Sequence, residues 1–520
     1  MTLVHTNDIH SRLDEFSSSG LDCTEKNRAE GKCFGGIARI KTLVDSIREK
    51  DPNVYLVDAG DQFQGTMFYN YYKGNSTIEF MNLVKYDAFA IGNHEFDDGP
   101  AHLAKFIAKL TTPALSSNMN TTLDANLNGL VAPYIVLTKF NVRIGVVGYI
   151  TKATPSLAQT GKQLTFEDPI VSVQRAVDEL HKLGIKRIIA VSHNGYEDDK
   201  LVAANTQGVS VIVGGHSHSL LLKNTTAPGV AGPYPTEVKA KDGQSVYIVQ
   251  AKSLGEYVGK LSLTWSANDK LTAINGDPIQ LTMKIPQHPA THALVQEWRK
   301  PFDAIARTVI GTTSTALTRE TCSTTGCALG YWVANLLRAS VATPAPEVAA
   351  TIGMTNTGGL RADIPAGDVT IGGILAVLPF VNMATTVRMS GKQIGEMLEG
   401  LALLQNSDAI RPDGKKVTGY AQFAGLRAKL DKEKPKWQRV SGVEVEVAKG
   451  KWVEVAADKL YDVATVDYLS QGGGDSIVPA ELVKQRDTGA LLSDLAIEAV
   501  KKDKEIKVAV EDYVPGVHFV

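Results

Sequence analysis

Residues 3–10 read LVHTNDIH, an apolar strand-like run, Leu3–Thr6, that ends at two side chains able to hold a metal ion, Asp8 and His10. The same arrangement recurs downstream. Val54–Asp58 leads to Asp61, Ala88–Ile91 to Asn93, Ile188–Ser192 to His193, and Val209–Gly214 to His216 and His218. These runs are rich in Val, Ile and Ala, and helix-like stretches separate several of them, the pattern of an α/β fold. In open α/β sheets, ligands gather beyond the carboxyl ends of the strands, so residues far apart in sequence can converge on one site.

The rest of the chain bounds what such a site can belong to. With 520 residues, 43% of them hydrophobic, the chain can bury a large core, and its length suggests two or three domains. Net charge is −2 with Lys and Arg spread along the chain, which argues against a nucleic-acid polymer as partner. No apolar run approaches the roughly 18 residues that suggest a membrane span. The chain opens almost directly on a core strand and stops at Val520 without a hydrophobic tail, so an export signal and a lipid anchor are expected to be absent from it. The four cysteines form two close pairs in polar loops, Cys23 with Cys33 and Cys322 with Cys327, and predict two local disulfides. Sequons at Asn75, Asn120 and Asn224 agree with an extracellular glycoprotein. Monomer and homodimer both remain open.

The predicted layout has three parts: a first domain over 1–285, a linking helix within 286–308, and a second domain over 309–520. The strand-like Val246–Gln250 and Gly259–Trp265 give way to a Pro-containing turn at Ile285–Pro289. From His292 to Arg307, apolar residues at Ala293, Leu294, Trp298, Phe302 and Ile305 recur at helical spacing. The second domain mixes predicted helices (Gly330–Ser340, Lys392–Leu404, Leu491–Lys501) with strand pairs such as Val443–Val447 and Trp452–Val455.

Asp8 and His10 flank Ile9, so on an extended strand end both side chains point the same way. Asp61 closes a segment in which Gly60 permits a sharp turn, and its two carboxylate oxygens can bridge two cations. Asn93 offers a neutral carbonyl oxygen, and His193, His216 and His218 offer imidazoles. Oxygen with imidazole suits Zn²⁺ first, Mn²⁺ as the alternative, and Ca²⁺ poorly. In GNHEFD (92–97), Asp97 lies three residues beyond His94 and can accept its proton, so an Asp-supported imidazolium beside the cations would stabilise a phosphoryl oxygen or protonate a leaving group. Two metals about 3.5–4 Å apart activate a shared water for in-line attack on phosphorus. His5, His102, His181, His288, His292 and His518 lack such settings and are read as packing or surface residues.

NDIH (7–10), GGIARI (35–40), DAGDQFQGT (58–66), YDAFAIGNHEFD (86–97), GYITKATP (148–155) and GGHSHS (214–219), with NTGGLRADI (356–364), LPF (378–380) and DYLSQGGGD (467–475), resemble the 5′-nucleotidase family of calcineurin-like metallophosphoesterases, the animal ecto-enzymes above all. The resemblance implies an N-terminal four-layered α/β metal domain, a linking helix, and a C-terminal α/β nucleotide-binding domain that swings substrate toward the metals. It implies Asp8, His10 and His218 on the first ion, Asp61 bridging, Asn93, His193 and His216 on the second, and His94 with Asp97 as catalytic dyad. In the second domain it implies phosphate and ribose-side contacts from Arg361 and Asn356, a base sandwiched by Phe380 and Tyr468, and ribose hydroxyls bonded to Asp475. Asn382, two residues beyond Phe380, is a candidate base-edge contact.

The activity so implied is secreted hydrolysis of nucleoside 5′-monophosphates, AMP to adenosine and phosphate, by metal-activated hydroxide. An apyrase or UDP-sugar hydrolase acting on nucleoside di- and triphosphates is the alternative. Departures from the pattern bear on that choice: QGGGD carries one more Gly than usual, Ser323 stands beside Cys322 where the ecto-enzyme has Arg, and Tyr331 stands where the family usually has Asn.

Overall fold

The structure, a computed structural model, describes residues 1–140, 142–341, 348–380, 382–404, 417, 419–470, 477–479, 484–513 and 516–519. The chain divides into two compact units, Met1–Ser18 with Asp22–Phe302, and Ser19–Leu21 with Asp303–Val520.

In the first unit, the apolar runs become parallel strands. Thr2–Thr6 pairs in parallel with Val54–Asp58, which pairs with Ala88–Ala90, which pairs with Ala114–Leu115. Tyr257–Trp265 adds antiparallel on the other side of Thr2–Thr6, followed by Leu271–Gly276, and the short Ile279–Gln280 completes a seven-stranded sheet. A second sheet of six strands centres on Ser245–Val249, Val211–Val213, Ile188–His193 and Val142–Ile150, all mutually parallel, with antiparallel Thr236–Lys239 and Tyr134–Lys139 at its edges.

One apolar core joins the sheets: Leu3, Tyr55 and Val57 from the first sheet with Val146, Ile189 and Val211 from the second. Parallel strands covered on both faces need no polar alternation. Accordingly Val54–Asp58 and Ile188–His193 are buried at every position. Each fully buried Leu, Val or Ile contributes about 1.5–3 kcal/mol. Because the central strands of each sheet are parallel, their carboxyl ends line up at one edge of that sheet, and the loops leaving those edges carry the candidate ligands.

The helix predicted over His292–Arg307 runs from Pro289 to Ala306. Proline opens a helix without loss because the first N–H has no intrahelical partner. Within the first unit, Phe302 meets Phe68 edge to face at 5.1 Å, Trp298 Nε1 donates to Glu79 at 2.6 Å, and the buried Arg299 reaches Asp14 at 3.2 Å. Among the described residues, no helix is long and apolar enough to cross a membrane.

The second unit is built on a five-stranded sheet ordered Ala421–Ala424, Val348–Asn356, Leu460–Val466, Met383–Ser390, Lys484–Leu491, with smaller sheets of three and four strands. The predicted helices appear as Ala328–Ser340, Gly391–Ala402 and Leu492–Asp503. Ala328–Ser340 lies so close to the sheet that a Cβ on Gly353 would fall 1.9 Å from the Ala334 carbonyl oxygen. Both expected disulfides, Cys23–Cys33 and Cys322–Cys327, are formed, and Asn75, Asn120 and Asn224 are exposed.

Candidate metal centre

The turn after Val54–Asp58 is set by buried polar bonds. Asp58 accepts from the Thr6 hydroxyl at 2.5 Å, the Gln62 amide at 2.8 Å and the Gly60 N–H at 3.0 Å. Burial raises the Asp58 carboxyl to about 7. Gly60, at φ +89°, has no room for a side chain, since a Cβ would sit 2.7 Å from the Gly92 nitrogen. Several residues at this edge hold left-handed backbone that non-glycine residues avoid: Asp8, His10, Asp61, His216 and His218 have φ of 51°, 52°, 55°, 73° and 53°. Such strain costs of order 1–3 kcal/mol per residue and clusters at functional sites.

Two sets of ligand atoms result. Asp8, His10 and His218 form one, Asp61, His193 and His216 the other, and the donor atoms within each set lie within 4.8 Å of one another. Asp61 stands between them: its Oδ2 is 3.1 Å from His193 Nε2 and 3.9 Å from His10 Nε2. His10 Nδ1 donates to the Phe63 carbonyl at 3.0 Å and His193 Nδ1 to the Ala59 carbonyl at 2.6 Å. Those bonds fix the tautomers and leave Nε2 of each ring as the candidate ligand atom.

The donor set passes the test of metal fit. Asn93 Oδ1 is buried and makes no hydrogen bond among the described residues, a costly state for a polar atom unless a cation completes it. Burial alone would raise both central carboxyls, yet the imidazoles prevail. His218 and His193 hold Asp8 at about 2, and His193, His94 and His10 hold Asp61 well below the usual carboxylate range. Burial pulls His193 down, but Asp61 and Asp8 carry it up to about 10, while burial and His193 push His216 down to about 4. Asp61 and Asp8 thus favour a positive charge at His193, and a cation held there would take the place of the proton.

His94 and Asp97 also meet. His94 Nδ1 donates to Asp97 Oδ2 at 2.9 Å, and the His94 backbone N–H donates to Asp61 Oδ1 at 2.9 Å, tying this pair to Asp61.

Glu95, between them in sequence, was not singled out by sequence reasoning, yet it organises the site. Its buried carboxylate accepts from four backbone N–H groups: Asp61 at 3.0 Å, Gln62 at 2.7 Å, Phe63 at 3.1 Å and Gly92 at 2.6 Å. It thereby clamps the Asp61 turn to the Asn93 turn. Burial, with the Asp61 charge adding, pushes Glu95 up to about 8.

In the second unit, Asn356, Phe380 and Asn382 line one small cleft with Leu378, Val466 and Leu492. The Arg361 guanidinium lies over the Phe380 ring at 5.6 Å, and Tyr468 is half-buried against the unit's core. Asp475 lies outside the described residues.

Comparison with known proteins finds one family profile in each unit. The profile of the calcineurin-like phosphoesterases covers residues 1–220, and that of the 5′-nucleotidase C-terminal domain covers 309–481. The 5′-nucleotidase of Homo sapiens is 33% identical over 528 residues, spanning 98% of this chain and 90% of the relative. The apyrase of Aedes aegypti is 34% identical over 529 residues, spanning 97% and 90%. The crystal structure of the 5′-nucleotidase precursor from Thermus thermophilus superposes with a TM-score of 0.88 at 32% identity, covering 100% of this chain and 99% of that one. Strand ends that gather two ligand sets around one aspartate, followed by a nucleotidase C-terminal domain, place the chain in the 5′-nucleotidase family of calcineurin-like phosphoesterases, enzymes that hydrolyse phosphoric monoesters.

Proposed function

We propose that this chain is an extracellular 5′-nucleotidase that converts AMP and related nucleoside 5′-monophosphates, with water, to nucleoside and phosphate. The observation that carries this reading is Asp61, whose Oδ2 lies between His193 and His10 at the junction of the two ligand sets. Asp8, His10 and His218 would hold one divalent ion, Asn93, His193 and His216 a second, with Asp61 shared, and Zn²⁺ suits this mix better than Mn²⁺. Bound there, the pair supplies an activated water and neutralises charge on the phosphoryl group.

The chain's own groups do the rest. With Nδ1–H committed to Asp97, His94 presents Nε2 to bond a phosphoryl oxygen or to protonate the leaving 5′-oxygen. Phe380 would stack the base, with Asn356, Arg361, Asn382, Tyr468 and Asp475 contacting the remainder of the nucleotide. Movement of a second domain, 309–520, about a linker at 286–308 would bring the phosphate to the domain 1–285. The two disulfides support an oxidising, extracellular setting.

The resemblance to the Aedes aegypti apyrase supports a second reading, cleavage of nucleoside di- and triphosphates. A phosphate-release screen over AMP, ADP, ATP, UDP-glucose and cyclic nucleotides separates the two. AMP should be turned over fastest, and turnover of ADP and ATP with inert AMP would replace the first reading by the second.

A further inference from the structure

Gln64 belongs to neither ligand set, yet its placement is specific. Its backbone sits at φ +70°, a conformation that a long side chain adopts only against a steric cost, and its residue is 4% exposed. The next residue is Gly65 at φ +106°, where a Cβ would lie 2.8 Å from the His10 carbonyl oxygen, so this turn packs directly against the His10 backbone. In this strained turn the Gln64 amide Nε2 donates to Asp97 Oδ2 at 2.9 Å, the same oxygen that accepts His94 Nδ1 at 2.9 Å. Its own Oε1 accepts the Gly65 N–H at 3.4 Å, which fixes which end of the amide faces Asp97.

We propose that Gln64 is a positioning residue for the dyad: by donating to Asp97 Oδ2 it holds that carboxylate where it orients His94, and so sets the rate without binding metal or substrate. A carboxylate on Asp97 has a rotatable side chain and is about one-seventh exposed, as is His94, so the imidazole bond alone leaves it free to turn toward solvent. A second donor on the same oxygen, delivered from the Asp61 turn, removes that freedom. Strained backbone carrying a side chain with one specific polar duty is the expected mark of such a residue.

This rests on the dyad reading above, and the test separates the two. In the metal-loaded full chain, Gln64→Leu should lower kcat for AMP by roughly 10- to 100-fold, the range of a lost hydrogen bond to a charged group. KM and metal content should stay near those of the parent, and the thermal midpoint should fall by no more than a few degrees. Gln64→Asn, which tolerates left-handed backbone but falls short of Asp97, should lose kcat equally and covers the case in which the Leu variant does not fold. The deciding measurement is a double-mutant cycle. In a His94→Ala background, Gln64→Leu should cause no further loss, because Gln64 acts through His94. An equal further loss in that background, lost metal, or full kcat in both Gln64 variants overturns the proposal. Full activity in His94→Ala alone overturns the dyad reading instead.

Discussion

Replacing Glu95 by Gln keeps the shape of the side chain and exchanges one acceptor oxygen for an NH₂ group. Each Glu95 oxygen accepts two backbone N–H groups, Asp61 with Gly92 on Oε2 and Gln62 with Phe63 on Oε1. Whichever way the amide settles, two buried N–H groups then face a donor. At about 1–3 kcal/mol for each buried donor left unsatisfied, the loss is roughly 2–6 kcal/mol. At roughly 1.5–2 °C per kcal/mol for a unit of this size, the first thermal transition of the metal-free chain, followed above pH 8 where Glu95 is ionised, should fall by about 3–12 °C. The turns that lose these bonds carry Asp61 and Asn93, so metal content should fall along with stability. Scanning calorimetry and metal analysis of Glu95→Gln read both. A transition within about 1 °C of the parent, with two ions retained, would show that the four bonds do not hold the turns and would refute the clamp.

Three further outcomes are expected. His94→Ala should keep its metals and nucleoside affinity while turnover falls on the order of 10²–10⁴, the range for a lost acid–base group; steady-state kinetics at saturating AMP check it, and an unchanged rate makes His94 structural. Phe380→Ala should weaken adenosine binding by roughly 1–3 kcal/mol, the loss of one stacking partner, with metal content untouched in calorimetric titration and metal analysis. Burial pushes His5 down to about 3, with its Nε2 bonded to the Tyr234 hydroxyl at 2.8 Å, so the folded chain keeps it neutral. Above the unfolded value near 6.5 His5 leaves stability unchanged with pH, and between about 6.5 and 3 the unfolded chain takes a proton the folded chain refuses, costing up to about 1.4 kcal/mol per pH unit. In metal-free protein, His5→Gln should flatten that acid slope even if it lowers stability throughout, and an unchanged slope assigns the acid sensitivity elsewhere.

Strands of the first unit were legible because parallel strands buried on both faces are written as continuous apolar runs. Val54–Asp58 is found with the predicted bounds, and Ile188–His193 extends the predicted run by one residue. Ala88–Ala90 stops one residue short of Ile91, and Val211–Val213 is shorter than Val209–Gly214, because hydrophobicity continues into turns where the ladder has ended. The Ala328–Ser340 helix begins two residues ahead of the prediction, capped by Cys327, whose sulfur accepts the Gly330 N–H, and cysteine is not a usual cap signal.

Asp8, His10, Asp61, His193, His216 and His218, which the structure gathers into two sets, were singled out because each follows such a run, as Asn93 does. Glu95 was not, since its partners are main-chain groups of residues 61–63, which carry no side-chain signature. Gln64 was hidden for a related reason: nothing in its neighbours announces left-handed backbone at a glutamine. In the second unit, Phe380 and Asn356 were identified by family resemblance, and their shared cleft became visible only in three dimensions.

The central claim is that one aspartate organises two metal sites. The most direct test is anomalous-scattering crystallography of the chain grown with Zn²⁺, paired with metal analysis of Asp61→Ala. Two zinc peaks about 3.5–4 Å apart with Asp61 between them are expected, and in Asp61→Ala fewer than two ions per chain and nearly no AMP hydrolysis. A single peak in the parent, or two ions and substantial turnover without Asp61, would contradict the account.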